Sequence, residues 1–415
     1  MAEEEGEAGM TSAPAKSATA GRALEVLLAF LWLGVTSFGG PIAHLGYFRR
    51  AFVQRRKWLS EDEYADLVAL CQFLPGPASS QTGLLIGLRR AGAWGALAAW
   101  TGFTLPSALL MFACSVLAPG LKGPVALSAI HGLKLVAVAV VAQAVWSMAS
   151  KLCPDRRRAA IALAAFLVIL LVASPATQLL AIAGGGLLGL LLCRNIPDMS
   201  AGAAHPPVRR RIGIAAGAVF IGILAGLSLA SALYPGHTPW ALANIFFKSG
   251  TLVFGGGHVV LPLLRDALVP AGWIGDDAFL AGYGAAQAMP GPLFTFAAYL
   301  GGTVATPWNP ALMAALALVM LFLPGVLLVV AVYPFWSRLG HNLSVRAALA
   351  GVNAAVVGIL GAALYNPVWT SAVFRPDDIA IAVAGFLLLE KWHTPPMLVV
   401  GLCVGASMLR LYLGF

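Results

Sequence analysis

Two short runs carry much of the polar chemistry in an otherwise apolar chain. Gln72 precedes Pro75-Gly76-Pro77, and Gln287 precedes Pro290-Gly291-Pro292. A Pro-Gly-Pro run ends one helix and starts another, and a helix start presents free backbone N–H groups suited to an anion. Ser79, Ser80, Gln81 and Thr82 follow the first run and Thr295 the second, adding neutral donors. Upstream of each run lies another break signal, Phe38-Gly39-Gly40-Pro41 in one place and Phe254-Gly255-Gly256-Gly257-His258 in the other. Cationic or protonatable residues inside apolar segments are Lys134, Lys248, His44, His131 and His258. A charge in such a segment is a functional candidate by default. Lys248 stands out because the equivalent position of the other copy holds Trp32. The competing readings are a lysine that snorkels to an interface and histidines that are merely satisfied polar residues. The candidate binding set is Gly39, Gly40, Gln72, Pro75, Gly76, Pro77, Ser79, Ser80, Lys248, Gly255, Gly256, Gly257, His258, Gln287, Pro290, Gly291 and Pro292.

Arg49, Arg50, Arg55, Arg56 and Lys57 form a basic amphipathic stretch beside the first break. It suits anchoring on anionic headgroups and, equally, an electrostatic funnel that concentrates an anion at an entrance. Glu61, Asp62, Glu63 and Asp66 open the next apolar segment, where carboxylates stabilise a helix start. No G-x-x-x-x-G-K-[ST] run is present, which argues against a built-in nucleotide motor. No apolar segment centres an Asp or Glu, and no His/Asp/Glu/Cys cluster suggests a membrane enzyme. Cys71, Cys114, Cys153, Cys193 and Cys403 are scattered, without a C-x-x-C pair, so neither a disulfide framework nor a metal site is expected. No cofactor is implied.

Composition says what must position these residues. Of 415 residues, 60% are hydrophobic and 10% charged, with a mean hydropathy of +0.85. Soluble domains carry about 25% charged residues. The apolar residues come in long blocks, so the expected architecture is an all-α polytopic membrane protein. The net charge of +9 is better assigned to basic loops beside a lipid bilayer than to nucleic-acid binding. Thirteen apolar segments are read near 24–41, 64–88, 93–118, 125–148, 159–173, 177–193, 212–233, 241–261, 279–302, 311–333, 348–366, 379–389 and 395–413. Residues 1–22 read as a disordered cytoplasmic tail.

The chain repeats itself. Phe38-Gly39-Gly40, Lys57-Trp58-Leu59, Glu61-Asp62 and Gln72…Pro75-Gly76-Pro77 recur as Phe254-Gly255-Gly256, Gly272-Trp273-Ile274, Asp276-Asp277 and Gln287…Pro290-Gly291-Pro292. Weaker echoes follow at Leu105-Pro106-Ser107 against Leu323-Pro324-Gly325. Basic loops are rich in the first half and poor at the equivalent positions of the second, where Arg338, Arg346 and Lys391 sit in the other set of loops. That swap predicts two homologous halves in an inverted repeat, 23–195 and 240–415. A basic linker with an unpaired inverting helix at 212–233 fills 196–239. With the N-terminus in the cytoplasm, the C-terminus falls outside. Every basic loop obeys the positive-inside rule only if segments 24–41 and 64–88 dip in and return, with discontinuous or re-entrant helices at the F-G-G-P and P-G-P motifs.

With these motifs on both halves, the chain resembles the long-form chromate ion transporter family. The resemblance rests on F-G-G-P, the K-W-L-S-E-D-E stretch and the Q-x-x-P-G-P run of the first half. In the second half it rests on F-G-G-G-H-x-V-x-P-x-L, Gly-Trp and Q-A-x-P-G-P. It covers nearly all of residues 24–413 and implies chromate efflux and chromate resistance in a bacterial plasma membrane. Sulfate, with the same tetrahedral shape and double charge, is the competing substrate. A second copy of the chain is a candidate partner. An inside-negative potential favours exit of a dianion by about 2.3 kcal/mol per charge per 100 mV, so potential-driven efflux needs no other energy source.

Overall fold

A computed structural model describes residues 13–117, 123–172, 177–193, 208–236, 238–254 and 257–413, and among these every element is helical. The first half comprises α1 (Ala13–Thr36), α2 (Gly40–Phe48), α3 (Glu61–Phe73), α4 (Ala78–Leu117), α5 (Pro124–Leu152), α6 (Arg156–Leu171) and α7 (Thr177–Leu192). The unpaired α8 (Arg210–Leu233) follows. The second half holds α9 (Pro239–Thr251), α10 (Val260–Leu268), α11 (Asp276–Ala288), α12 (Phe296–Thr303), α13 (Pro310–Val332), α14 (Trp336–Leu339), α15 (Leu343–Ala363), α16 (Pro376–Glu390) and α17 (Pro396–Leu413). Among the described residues, five helical stretches are long and apolar enough to cross a membrane: Ala78–Leu117, Pro124–Leu152, Arg210–Leu233, Pro310–Leu339 and Leu343–Trp369. The expected tail is shorter than 1–22. Residues 13–22, rich in alanine, already belong to α1, and 1–12 lie outside the described residues.

The segments at 24–41 and 64–88 do not span; each belongs to a hairpin. At one end of the first hairpin, Glu25 of α1 pairs with Arg90 at 2.9 Å. Arg90 in turn lies over the Trp58 ring, and Trp58 stacks on Phe52, just past α2. The middle of α1, at Glu25, and the end of the returning limb therefore share one face. In the second hairpin, α3 starts with a capping box in which Ser60 and Glu63 satisfy each other's backbone N–H groups. Glu63 also pairs with Arg89, at the far end of the limb that follows Pro75-Gly76-Pro77. At Ala91–Gly92 the α4 backbone leaves helical geometry. There α4 folds on itself so closely that a Cβ at Gly87 would stand 2.2 Å from the Gly95 carbonyl oxygen. The limb from residue 93 then crosses.

The second half repeats this plan. The Tyr299 hydroxyl donates to the Ala278 carbonyl at 3.0 Å, and Ala305 N–H to the Trp273 carbonyl at 3.0 Å, so α11 and α12 form the equivalent hairpin. Gly301 of α12 lies against Met313 and Ala314 as the chain turns into α13.

Beyond the hairpins the halves exchange partners. α5 packs on α16 and α17, whereas α15 packs on α6 and α7. Along α5, His131, Ala139 and Gln143 meet Asp378, Gly385 and Glu390 in that order, so α5 and α16 run parallel. Along α15, Gly358 meets Ala162 and Gly361 meets Phe166, so α15 and α6 run parallel. Cys153, Pro154 and Asp155 alone join α5 to α6, and Asp155 caps α6 through the Arg157 and Arg158 N–H groups. Lys134, toward the start of α5, reaches the Ser371 carbonyl beyond the end of α15 at 3.5 Å, and Cys153, at the end of α5, packs on the cluster that holds Ala347 near the start of α15. It follows that α5 and α15, equivalent in the repeat, point opposite ways: the repeat is inverted. The inverting helix expected at 212–233 is α8, which lies against α9 and α13 with most of its surface exposed. The linker residues 194–207 lie outside the described residues.

Candidate functional site

The four breaks meet where the halves touch. Gly76 N–H donates to the Val253 carbonyl at 2.7 Å, and Gly291 N–H donates to the Ser37 carbonyl at 2.9 Å. Val253 and Ser37 are equivalent residues immediately before the two Phe-Gly-Gly motifs, so the bonds form a reciprocal pair across the pseudo-symmetry axis. Both glycines have left-handed backbones, φ 120° and 88°. A Cβ at Gly76 would meet Gln81 Nε2 at 2.8 Å, and at Gly291 it would meet Ser107 Oγ at 2.8 Å. Gln81 strengthens the crossing by donating to the Pro75 and Gly325 carbonyls at 2.9 and 3.0 Å. The Pro-Gly-Pro glycines thus act first as braces, their N–H groups already engaged.

The free donors lie elsewhere. α2 starts at the Gly39–Gly40 break, with Pro41 in its first turn and no side-chain cap. First-turn N–H groups have no partner within a helix and sit at its positive end. Gly39, Gly40, Pro41 and Ala43 line a cavity of about 870 Å³, together with Phe38, Tyr47, Gly257 and His258. Lys151, Glu390 and His393 line its outer part. Its inner end narrows to a pocket of about 60 Å³ bounded by Gly39, Gly40, Gln143, His258, Gln287 and Gly291. A water needs roughly 10–15 Å³ of such space, so the pocket has room for a few heavy atoms. Gln287 Nε2 is buried there, beside the Tyr283 hydroxyl. The His258 Nδ1 is 2.7 Å from the Tyr283 hydroxyl.

The cavity opens on one face and is closed toward the other. Lys151 at its mouth is at the end of α5 that leads to the basic loops. At the opposite end of α5, Lys134 pairs with Asp277, and His131 meets Asp378 at 2.7 Å. Arg410 binds Asp377 and Asp378, each at 2.7 Å. These pairs join α5, α11, α16 and α17 into a seal.

The expected site divides accordingly. Gly39, Gly40, Gly257, His258, Gln287 and Gly291 come together. Gly255 and Gly256 lie outside the described residues. Lys248 is exposed on α9, whose inward face is Leu242, Ala243, Phe246, Phe247, Ser249 and Gly250; like exposed Trp32, it points away from the cavity. Gln72 is exposed, and Ser79 and Ser80 are buried; neither they nor Pro75, Gly76, Pro77, Pro290 and Pro292 line the cavity. Ser79 instead lies 3.4 Å from His44 Nδ1. Of the basic stretch, Arg49 is held by Glu61 at 2.8 Å, which raises the arginine's pKa and lowers the glutamate's, chiefly through their hydrogen bond. Arg56 lies over the Phe52 and Trp58 rings, and Arg50, Arg55 and Lys57 are exposed. Sequence reasoning missed Gln143, Tyr283 and Glu390, since nothing in a single helix indicates which residue will face a cavity built by another half.

The comparisons agree with this architecture. The chromate transporter family model matches the chain twice, over residues 24–190 and 240–408. The chain is similar to a chromate transport protein of Pseudomonas aeruginosa, 29% identical over 89% of this chain and 88% of the relative. A probable chromate transport protein of Synechococcus elongatus is 28% identical over 81% of this chain and 82% of its own length. A chromate transport protein of Cupriavidus metallidurans is 25% identical over 91% and 90%. No solved structure matches. With both halves matched and both pairs of breaks meeting at the repeat interface, the chain belongs to the chromate transporter family.

Proposed function

We propose that this protein carries chromate out of the cell across the plasma membrane and so confers chromate resistance, with the membrane potential as driving force. The observation that carries the reading is the cavity that ends on Gly39, Gly40, His258, Gln287 and Gly291, contributed by both halves. The first-turn N–H groups of α2 and the Gln287 amide suit a tetrahedral oxyanion, and the relatives named as chromate transport proteins supply the substrate. The positive-inside rule assigns the face bearing Arg49–Lys57, Arg89 and Arg90 to the cytoplasm, which puts the N-terminus inside and the C-terminus outside. The cavity then opens inward, and the exposed arginines concentrate the anion at its mouth. The relatives are named as transport proteins, and the reading is of transport rather than catalysis. A second copy of the chain would dock on α8, whose Gly222 and Gly226 have nothing within 4 Å; failure of cysteines at Gly222 to cross-link two copies in the membrane excludes that contact.

Everted membrane vesicles test the main reading. Chromate should accumulate in them faster than sulfate and stop when the potential is collapsed. Sulfate accumulation without chromate accumulation replaces the substrate, and flux that survives collapse of the potential replaces the driving force.

A further inference from the structure

We propose that His258 takes up a proton as the oxyanion binds, so that anion and proton cross the membrane together and in the same direction. The inference rests on the transport reading and adds the coupling to it. Of the residues lining the inner pocket, His258 alone can carry a charge. Its Nδ1 is engaged by Tyr283 at 2.7 Å, which leaves Nε2 as the ring nitrogen available to the pocket. The other donors there, backbone N–H groups and the amides of Gln143 and Gln287, are neutral. A doubly charged anion in an enclosed site is costly without a compensating charge, and a nearby anion favours the protonated form of a histidine. The two bindings therefore reinforce each other, which couples them as symport.

The groups around His258 leave it this role. From α11 it meets Tyr283. α10 brings Arg265 and Asp266, the first paired with Asp276 at 3.0 Å and the second hydrogen-bonded by Gln178. α15 brings Arg346, in its first turn. The turn at Leu293–Thr295 brings no ionisable side chain, and α2 brings His44, which lies against Ser79. In the outer cavity Lys151 and Glu390 carry opposite charges, and Glu390 and His393 stand on the route a proton takes from the mouth. A dianion accompanied by one proton moves a single net negative charge per cycle, half that of the bare anion. The potential still drives it outward, while a proton gradient directed inward opposes it.

Calorimetry on the purified full-length protein tests the coupling. Chromate is titrated in mildly alkaline medium, where it is the dianion, in two buffers of different ionisation enthalpy. The wild type should take up close to one proton per chromate bound, with affinity falling by up to about tenfold per pH unit above the histidine's range. His258→Gln should bind more weakly with no proton uptake. His258→Lys, a fixed cation, should bind with no uptake and no pH dependence. Wild-type binding without uptake, or uptake that persists in His258→Gln, overturns the proposal and leaves the transport reading standing. Absence of chromate binding in the wild type overturns both.

Discussion

Glycines, prolines and glutamines near 38–41, 72–77, 254–258 and 287–292 announce broken helices, but not which donors are already engaged. Gly76 and Gly291 look identical to Gly40 in composition, yet their N–H groups close on the opposite half. Such a bond depends on the meeting of distant segments, so no local pattern reports it. Lys248 is the converse case: its charge was legible, its direction was not, because the face α9 buries is chosen by α13 and α8. We therefore expect Lys248→Gln to leave half-saturation for chromate in vesicles unchanged; a rise of tenfold or more would return it to the site. Gln287→Ala, by contrast, should cost about 1.5–3 kcal/mol, the usual worth of a hydrogen bond to a charged group. That is roughly ten- to a hundredfold in half-saturation. An unchanged value would remove Gln287. Gly76→Ala combines a left-handed backbone with a Cβ at 2.8 Å from Gln81 Nε2. It should lose membrane abundance through a cost of about 1–3 kcal/mol, and normal abundance and flux would deny the brace.

At the scale of elements, the charge pattern carried further than hydrophobicity. Hydropathy alone counts segments 24–41 and 64–88 among thirteen candidates, whereas the arginines between them demand that both return to the side they entered. The Glu25–Arg90 and Glu63–Arg89 pairs close those returns. The break inside α4 was legible, because Arg89 and Arg90 separate the apolar segments 64–88 and 93–118 and the backbone leaves helical geometry at Ala91–Gly92; the close approach of Gly87 to Gly95 that shapes the turn was not. Cysteines at Glu61 and at Asp276, equivalent in the repeat, should label from opposite sides, cytoplasmic and external respectively. Labelling of both from one side would exclude the inversion.

At the scale of the whole molecule, an inverted repeat offers two arrangements that exchange the roles of its halves. The cavity on the basic face is lined by the break before α2 and by His258. The other face is closed by Lys134–Asp277, His131–Asp378 and Arg410 with its two aspartates. Transport requires that this seal part while the inner mouth closes, and α5 is the natural moving part because it carries Lys134 and His131 at one end and Gln143 and Lys151 at the other. Replacing Lys134 and Asp277 with cysteines and bridging them with a short bifunctional thiol reagent should hold the seal shut. Chromate flux should then fall at least tenfold, and cleaving the bridge should restore it. Chromate binding should survive, because the cavity stays open to the basic face. The unbridged double variant controls for the lost ion pair: the Lys134 side chain is 9% exposed and Asp277 is 78% exposed, so loss of the pair costs little where water already screens the aspartate. Full flux through the bridged protein would mean that α5 and α11 move as one body, and the gate would have to be sought at Asp378, between α16 and α17.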